Sequence, residues 1–294
     1  MRTPGLPLLA AGLLLVACGN APQQQQDYAE TSAVEAESSA SPPGKVDSAQ
    51  GPDGDAPPGT GTMIVTYQEA QSPEAIAGRD LMQGDQLLEG FADDIDQTLN
   101  LPYDIQLVGS QCDQANAFWS ESENTITICY EDASNSRRIF TEAGDPDPDT
   151  GAINAEYATF YHEVGHMAIS VYDLPVTGRE EDVADQLAAY ILLTPGDDGE
   201  IDPESVQAVK DFARVFNASG AETAEVDPGA LADEHSLDMQ RVYNLDCWIY
   251  GSDPQGNADL VTSGQLPEER AKGCQAEWEQ LDKAWSTLLD PYFK

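Results

Sequence analysis

Two of the chain's three histidines, His162 and His166, stand four residues apart, with Glu163 directly after the first. On an α-helix such positions lie about 40° apart around the axis, so both imidazoles can reach one metal ion from the same face. Glu163 then stands beside the pair. A carboxylate there can take the proton of a zinc-bound water and later pass it to a leaving amine. The spacing HExxH therefore implies zinc as cofactor, Glu163 as general base, and a peptide or protein as substrate.

A catalytic zinc needs a third protein ligand. The metzincin spacing would put Gly at 169 and His at 172, where this chain has Ile169 and Tyr172, so that branch is excluded. The next predicted helix, 179–194, opens with Glu180, Glu181 and Asp182. By residue chemistry the three are equivalent, because acids are favoured in any helix's first turn. Glu181 with Asp185 resembles the ExxxD motif of the gluzincins, the thermolysin-like group. That resemblance implies Glu181 as third ligand and Asp185, one turn later, as hydrogen-bond partner of His162; Glu180 does not fit it, since Ala184 follows four residues on.

The same group suggests roles for two further segments. A histidine after the ligand helices, steadied by an acid, stabilises the oxyanion in thermolysin-like enzymes, which implies this role for His235, with Arg241 or Tyr243 as alternatives. The run Asn116-Ala117-Phe118-Trp119 resembles the substrate-binding edge strand of those enzymes, so Asn116 and Ala117 would hold a peptide backbone by β-pairing; as plain residues, Phe118 and Trp119 read as core aromatics. Over residues 101–254, the blocks HEVGH, GREEDVADQLAAY and DEHSLDMQRVYNLDCWIYGSDP resemble a bacterial family of metallopeptidases, mostly exported proteins. The resemblance implies zinc and peptide hydrolysis.

The elements that must position these residues read as α+β: a small N-terminal sheet whose edge strand lies over the HExxH helix, then a mainly helical half, a zincin-like arrangement. Strands are predicted at 63–67 and 104–108, with a hairpin formed by 117–119 and 125–130. Helices are predicted at 72–99, 154–172, 179–194, 203–218, 236–250 and 267–289. Between hairpin and active-site helix lies an acidic run, Asp145, Asp147 and Asp149, with Glu156 at the twelfth place of a calcium-loop spacing. Thr150 stands where such a loop needs Gly, and the run reads as a solvated acidic loop.

Composition narrows the remaining classes. The 294 residues carry 53 Asp and Glu against 13 Lys and Arg, a formal net charge of -40. Such a surface repels phosphate backbones and anionic lipid headgroups, which argues against nucleic acid and against electrostatic membrane docking. After the N terminus no segment offers the roughly 18 apolar residues of a membrane span. Residues 1–18 read as an export signal ending in Leu15-Val16-Ala17-Cys18, which resembles a bacterial lipobox with Cys18 as the acylated residue. Membrane contact is then expected only through this lipid anchor at the cell envelope, in the outer membrane where the envelope has two, because Gly19 stands where a retention Asp would sit. Residues 19–61, rich in Gln, Ser, Pro and Gly, read as a disordered tether, and 62–294 as one metallopeptidase domain.

Four cysteines fall in that domain, and an exported chain favours two disulfides. Of three pairings the sequence-local one is favoured, Cys112 with Cys129 and Cys247 with Cys274. No protein partner is indicated. Two rival functions share these features: a non-catalytic zincin-fold envelope lipoprotein, and an amidase acting on a non-protein envelope substrate.

Overall fold

The computed structural model describes residues 59–196, 198–222 and 231–294. The predicted signal, Cys18, and the predicted tether up to residue 58 lie outside the described residues. The fold is mixed α+β: one four-stranded sheet and, among the described residues, mostly helix.

The sheet has strands β1 (Met63–Tyr67), β2 (Ile105–Ser110), β3 (Ala117–Ser120) and β4 (Thr125–Cys129), in spatial order β1-β2-β4-β3. β1 and β2 are parallel, as are β2 and β4, so Leu107 sits between Val65 and Ile126. β3 pairs antiparallel with β4 as the expected hairpin, which leaves β3 at the edge. A disulfide, Cys112–Cys129, ties the segment after β2 to the end of β4.

The crossover from β1 to β2 is two helices, α1 (Pro73–Gly84) and α2 (Leu87–Thr98), where the sequence suggests one at 72–99. Ser72 caps α1 by accepting from the Ala75 N–H, and Pro73 occupies its first position. The break falls at Gln86, whose φ of 53° is left-handed. Its cost is offset locally, because the Leu88 N–H donates to the Tyr67 hydroxyl. Leu87, Leu88, Phe91 and Ile95 still face one core, so the apolar spacing runs through the break unmarked.

Helix α3 (Tyr130–Ala143) follows β4 directly and is a correction to the sequence reading, which has no helix there. Its buried face includes Glu131, Ala133 and Ser136 beside Tyr130 and Phe140, so its apolar stripe is weak in sequence. Glu131 and Asp132 in the first turn, and Gly144 in the left-handed region beyond the last, are the signals that mark it.

The acidic run is likewise corrected, since it is largely a helix start. Helix α4 (Pro148–Val171) begins six residues before the expected 154, with Asp147 accepting from both the Thr150 N–H and its hydroxyl. Asp145 pairs with Arg214 and Asp149 with Arg137, which leaves no calcium-loop geometry.

Helices α5 (Glu180–Leu193), α6 (Pro203–Glu222), α7 (Asp238–Ser252), the short α8 (Asp259–Thr262) and α9 (Glu268–Leu289) complete the domain. α7 and α9 are joined by a second disulfide, Cys247–Cys274, so both bonds follow the sequence-local pairing. The chain end returns to the start of the fold, where the Lys294 N–H donates to the Thr98 carbonyl. No described helix is long and apolar enough to cross a membrane.

Candidate metal centre

The site is made where α4 meets α5. They approach closely at Gly165, where an added Cβ would come within 2.8 Å of the Ala184 Cα. Ala184 lies between Glu181 and Asp185 on α5, and Gly165 between His162 and His166 on α4. The glycine inside the HExxH pattern thus lets the two helices touch, and the contact brings acids to imidazoles.

His162 Nε2, His166 Nε2 and Glu181 Oε2 form a triangle with edges of 3.3, 3.2 and 3.4 Å. Donors bound to one tetrahedral metal at about 2.0–2.1 Å stand about 3.3–3.4 Å apart, so the three atoms fit a single ion. The opposite ring nitrogens support this. His162 Nδ1 lies 2.8 Å from Asp185 Oδ1 and His166 Nδ1 lies 2.9 Å from Glu180 Oε1. Carboxylates accept, so each Nδ1 carries a proton, and when the rings are neutral each Nε2 turns a lone pair inward. Two lone pairs and a carboxylate converging on one point repel one another unless a cation sits among them. The residues fit a metal on the chemistry of their donors.

Electrostatics agree. Burial works against charge on His162, but its bonds to Asp185 and Glu181 outweigh it and hold its pKa above normal. The same balance, with Glu181 and Glu180 as partners, lifts His166 to about 9. Burial would raise Glu181, yet its three histidine bonds hold it far below the ordinary carboxylate range. Asp185 is also pulled down against burial, to about 2, by Arg241 first and His162 second. The cluster draws positive charge to its donors.

Glu163 lines the same cleft as His162 and is buried. Burial raises its pKa, while the neighbouring imidazoles lower it. His235 comes in from the segment before α7, with its Nε2 3.1 Å from Glu181 Oε2 and its Nδ1 2.8 Å from Asp233 Oδ1. Asn116 and Ala117, from the edge strand and the turn before it, line the cleft as well. All eight residues singled out at the site by the sequence, His162, Glu163, His166, Glu181, Asp185, His235, Asn116 and Ala117, thus gather at one place.

Three further residues that the sequence weighs are placed as follows. Arg241 donates from Nε and Nη2 to both oxygens of Asp185, at 2.8 and 2.6 Å, and stacks on Phe216. It therefore orders a chain from Arg241 through Asp185 to His162, a role that no local pattern announces. Glu180, set aside as a ligand, is the partner of His166. Tyr243 is exposed and does not line the cleft.

A helix pair that presents two imidazoles and a carboxylate to one point, with a second buried carboxylate beside them, defines a metallopeptidase type of site. The sequence model of a family described as "Putative metallopeptidase" (DUF4344) matches residues 67–289, and the chain belongs to this family. Neither curated proteins nor solved structures gave a match.

Proposed function

We propose that this chain is a zinc-dependent peptidase of the gluzincin kind and zincin-like fold, with His162, His166 and Glu181 as ligands and Glu163 as general base. The observation that carries this reading is the triangle of donor atoms with Glu163 in the same cleft. A zinc ion held there supplies a Lewis acid that acidifies water and polarises a scissile carbonyl. Glu163 takes the proton of the attacking water and delivers it to the leaving amine; its raised pKa suits the second task. Asp185, clamped by Arg241, fixes the His162 ring and its tautomer. His235, oriented by Asp233, lines the cleft, and its Nε2, which lies against Glu181, would turn from that carboxylate to donate to the oxyanion. The free edge of β3 offers backbone groups to an extended peptide.

Export and anchoring through Cys18 belong to the same proposal, supported by the lipobox-like sequence and by two disulfides, which persist in oxidising compartments. The test is a peptide-library digest with wild type and Glu163→Gln, each with and without a zinc chelator. Cleavage by metal-loaded wild type alone is expected. A folded, zinc-loaded wild type that cuts no peptide would move the assignment to a binding protein or to an amidase of another substrate.

A further inference from the structure

The cleft beside the metal centre, about 310 Å³ in volume, has an acidic end that the hydrolytic step does not use. Its α3 wall carries Asp132 and Asn135, its α6 wall Phe212 and Val215, and Thr159 of α4 lies between. Behind Asp132 is Glu156, fully buried on α4, two turns before Glu163 on the same face. Neither carboxylate oxygen of Glu156 has a hydrogen-bond donor among the described residues. The Asp132 carboxyl is a close neighbour, within hydrogen-bonding reach.

Two neighbouring acids, Glu156 fully buried and Asp132 half-buried on the cleft wall, are costly, since burial and mutual repulsion both disfavour their ionised forms. Among the described residues no lysine or arginine pairs with either. Nearby cations are engaged elsewhere: Arg137 with Asp149, Arg214 with Asp145 and Asp211, and Arg241 with Asp185. A cation entering along the cleft would find Asp132 at its end, Asn135 as a further acceptor and an apolar wall for its methylene stem. Lysine and arginine side chains have that shape.

We propose that this acidic end is a specificity subsite that receives a lysine or arginine side chain of the substrate, with Asp132 on the cleft wall, backed by the buried Glu156, supplying the negative charge it pairs with. The inference rests on the peptidase reading for its biological meaning, but the subsite can be measured without turnover.

Peptides identical except for lysine or norleucine at one position next to the cleaved bond are compared in two ways. Wild type is assayed for kcat/KM, and zinc-loaded Glu163→Gln is titrated with the same peptides by calorimetry. A charge-assisted contact predicts a lysine preference of about 10- to 100-fold in both readouts. Asp132→Asn, and separately Glu156→Gln, should reduce the ratio to about threefold or less; both keep side-chain size and relieve repulsion, and thermal unfolding checks that each folds. Cleavage without lysine preference, or a preference untouched by both variants, overturns the subsite and leaves the peptidase reading standing. No cleavage, with Asp132-dependent lysine binding intact in the Glu163→Gln protein, supports the subsite and sinks the peptidase reading. A calcium ion bound by wild type and lost in Asp132→Asn, with a flat peptide preference, would instead make the pair a structural metal site and overturn the proposal.

Discussion

Glu163, Glu180 and Glu181 are three acids around the same two imidazoles, and their surroundings separate them. Glu181 Oε2 lies within 3.4 Å of nitrogens from His162, His166 and His235. Glu180 is half exposed and touches only the outer nitrogen of His166. Glu163 is buried next to His162. Metal analysis of dialysed protein should therefore rank the variants. Glu181→Ala loses most of the metal, Glu180→Ala weakens affinity about tenfold to a hundredfold as an outer partner does, and Glu163→Gln keeps the metal while activity falls by about 100-fold or more. Retention by Glu181→Ala with loss in Glu180→Ala would reverse the assignment. The histidine spacing was legible in the sequence because a helix turns spacing directly into direction. The choice among the three acids was not, since a favourable first turn accepts any of them; the family resemblance pointed to Glu181 and the helix contact shows why it reaches. Arg241, 56 residues from Asp185, was legible only as an alternative stabiliser of the oxyanion, because its partner is set by tertiary packing.

At the scale of elements, the contact of α4 with α5 brings the three donor atoms together, and Gly165 permits it. Gly165→Ala would ordinarily favour a helix by about 1 kcal/mol. Here the new methyl group would meet the Ala184 backbone at 2.8 Å, and backbone cannot rotate aside. The expected result is a net loss of about 1–3 kcal/mol in urea unfolding, accompanied by weaker metal binding as Glu181 moves from the histidines. Unchanged metal affinity would show that the helix spacing is not what sets the site. The second disulfide acts on another pair, α7 and α9, and closes a loop of 27 residues. Replacing Cys247 and Cys274 together by Ala should cost about 2–4 kcal/mol of stability. These helices were readable from their spacing and start signals, as was the β3–β4 hairpin from its alternation and turn. What escaped were elements whose signals are weak or interrupted. α3 buries small and polar residues, and the α1–α2 break hides inside a continuous apolar rhythm. The sheet order escaped too, because strand pairing at long range leaves no local trace.

For the whole molecule the dominant fact is a formal charge of -40, which disfavours compactness at neutral pH and is relieved as carboxylates protonate. Inside the domain, individual acids push the same way. Asp246 is fully buried on α7, with Oδ1 accepting from Gln265 and Oδ2 without a partner among the described residues. Burial raises its pKa to about 6, and the Gln265 bond and Lys210 offset only part of that. An aspartate in the unfolded chain titrates near 3.9, as an approximate reference. The folded state thus holds this proton more tightly than the unfolded one. Its contribution to stability is fully present below about pH 4 and is lost as pH rises through about 6, a loss of about 2–3 kcal/mol by pH 8. Asp246→Asn removes the titration but keeps the acceptor for Gln265. Urea unfolding of both proteins from pH 4 to pH 8 should show no stabilisation by the variant at the acid end and a gain growing to about 1–3 kcal/mol at the alkaline end. Self-repulsion of the surface and proton competition at the metal ligands affect both proteins alike, so they cancel in the difference. A difference constant across that range would mean that Asp246 never ionises in the folded protein or that its burial costs nothing.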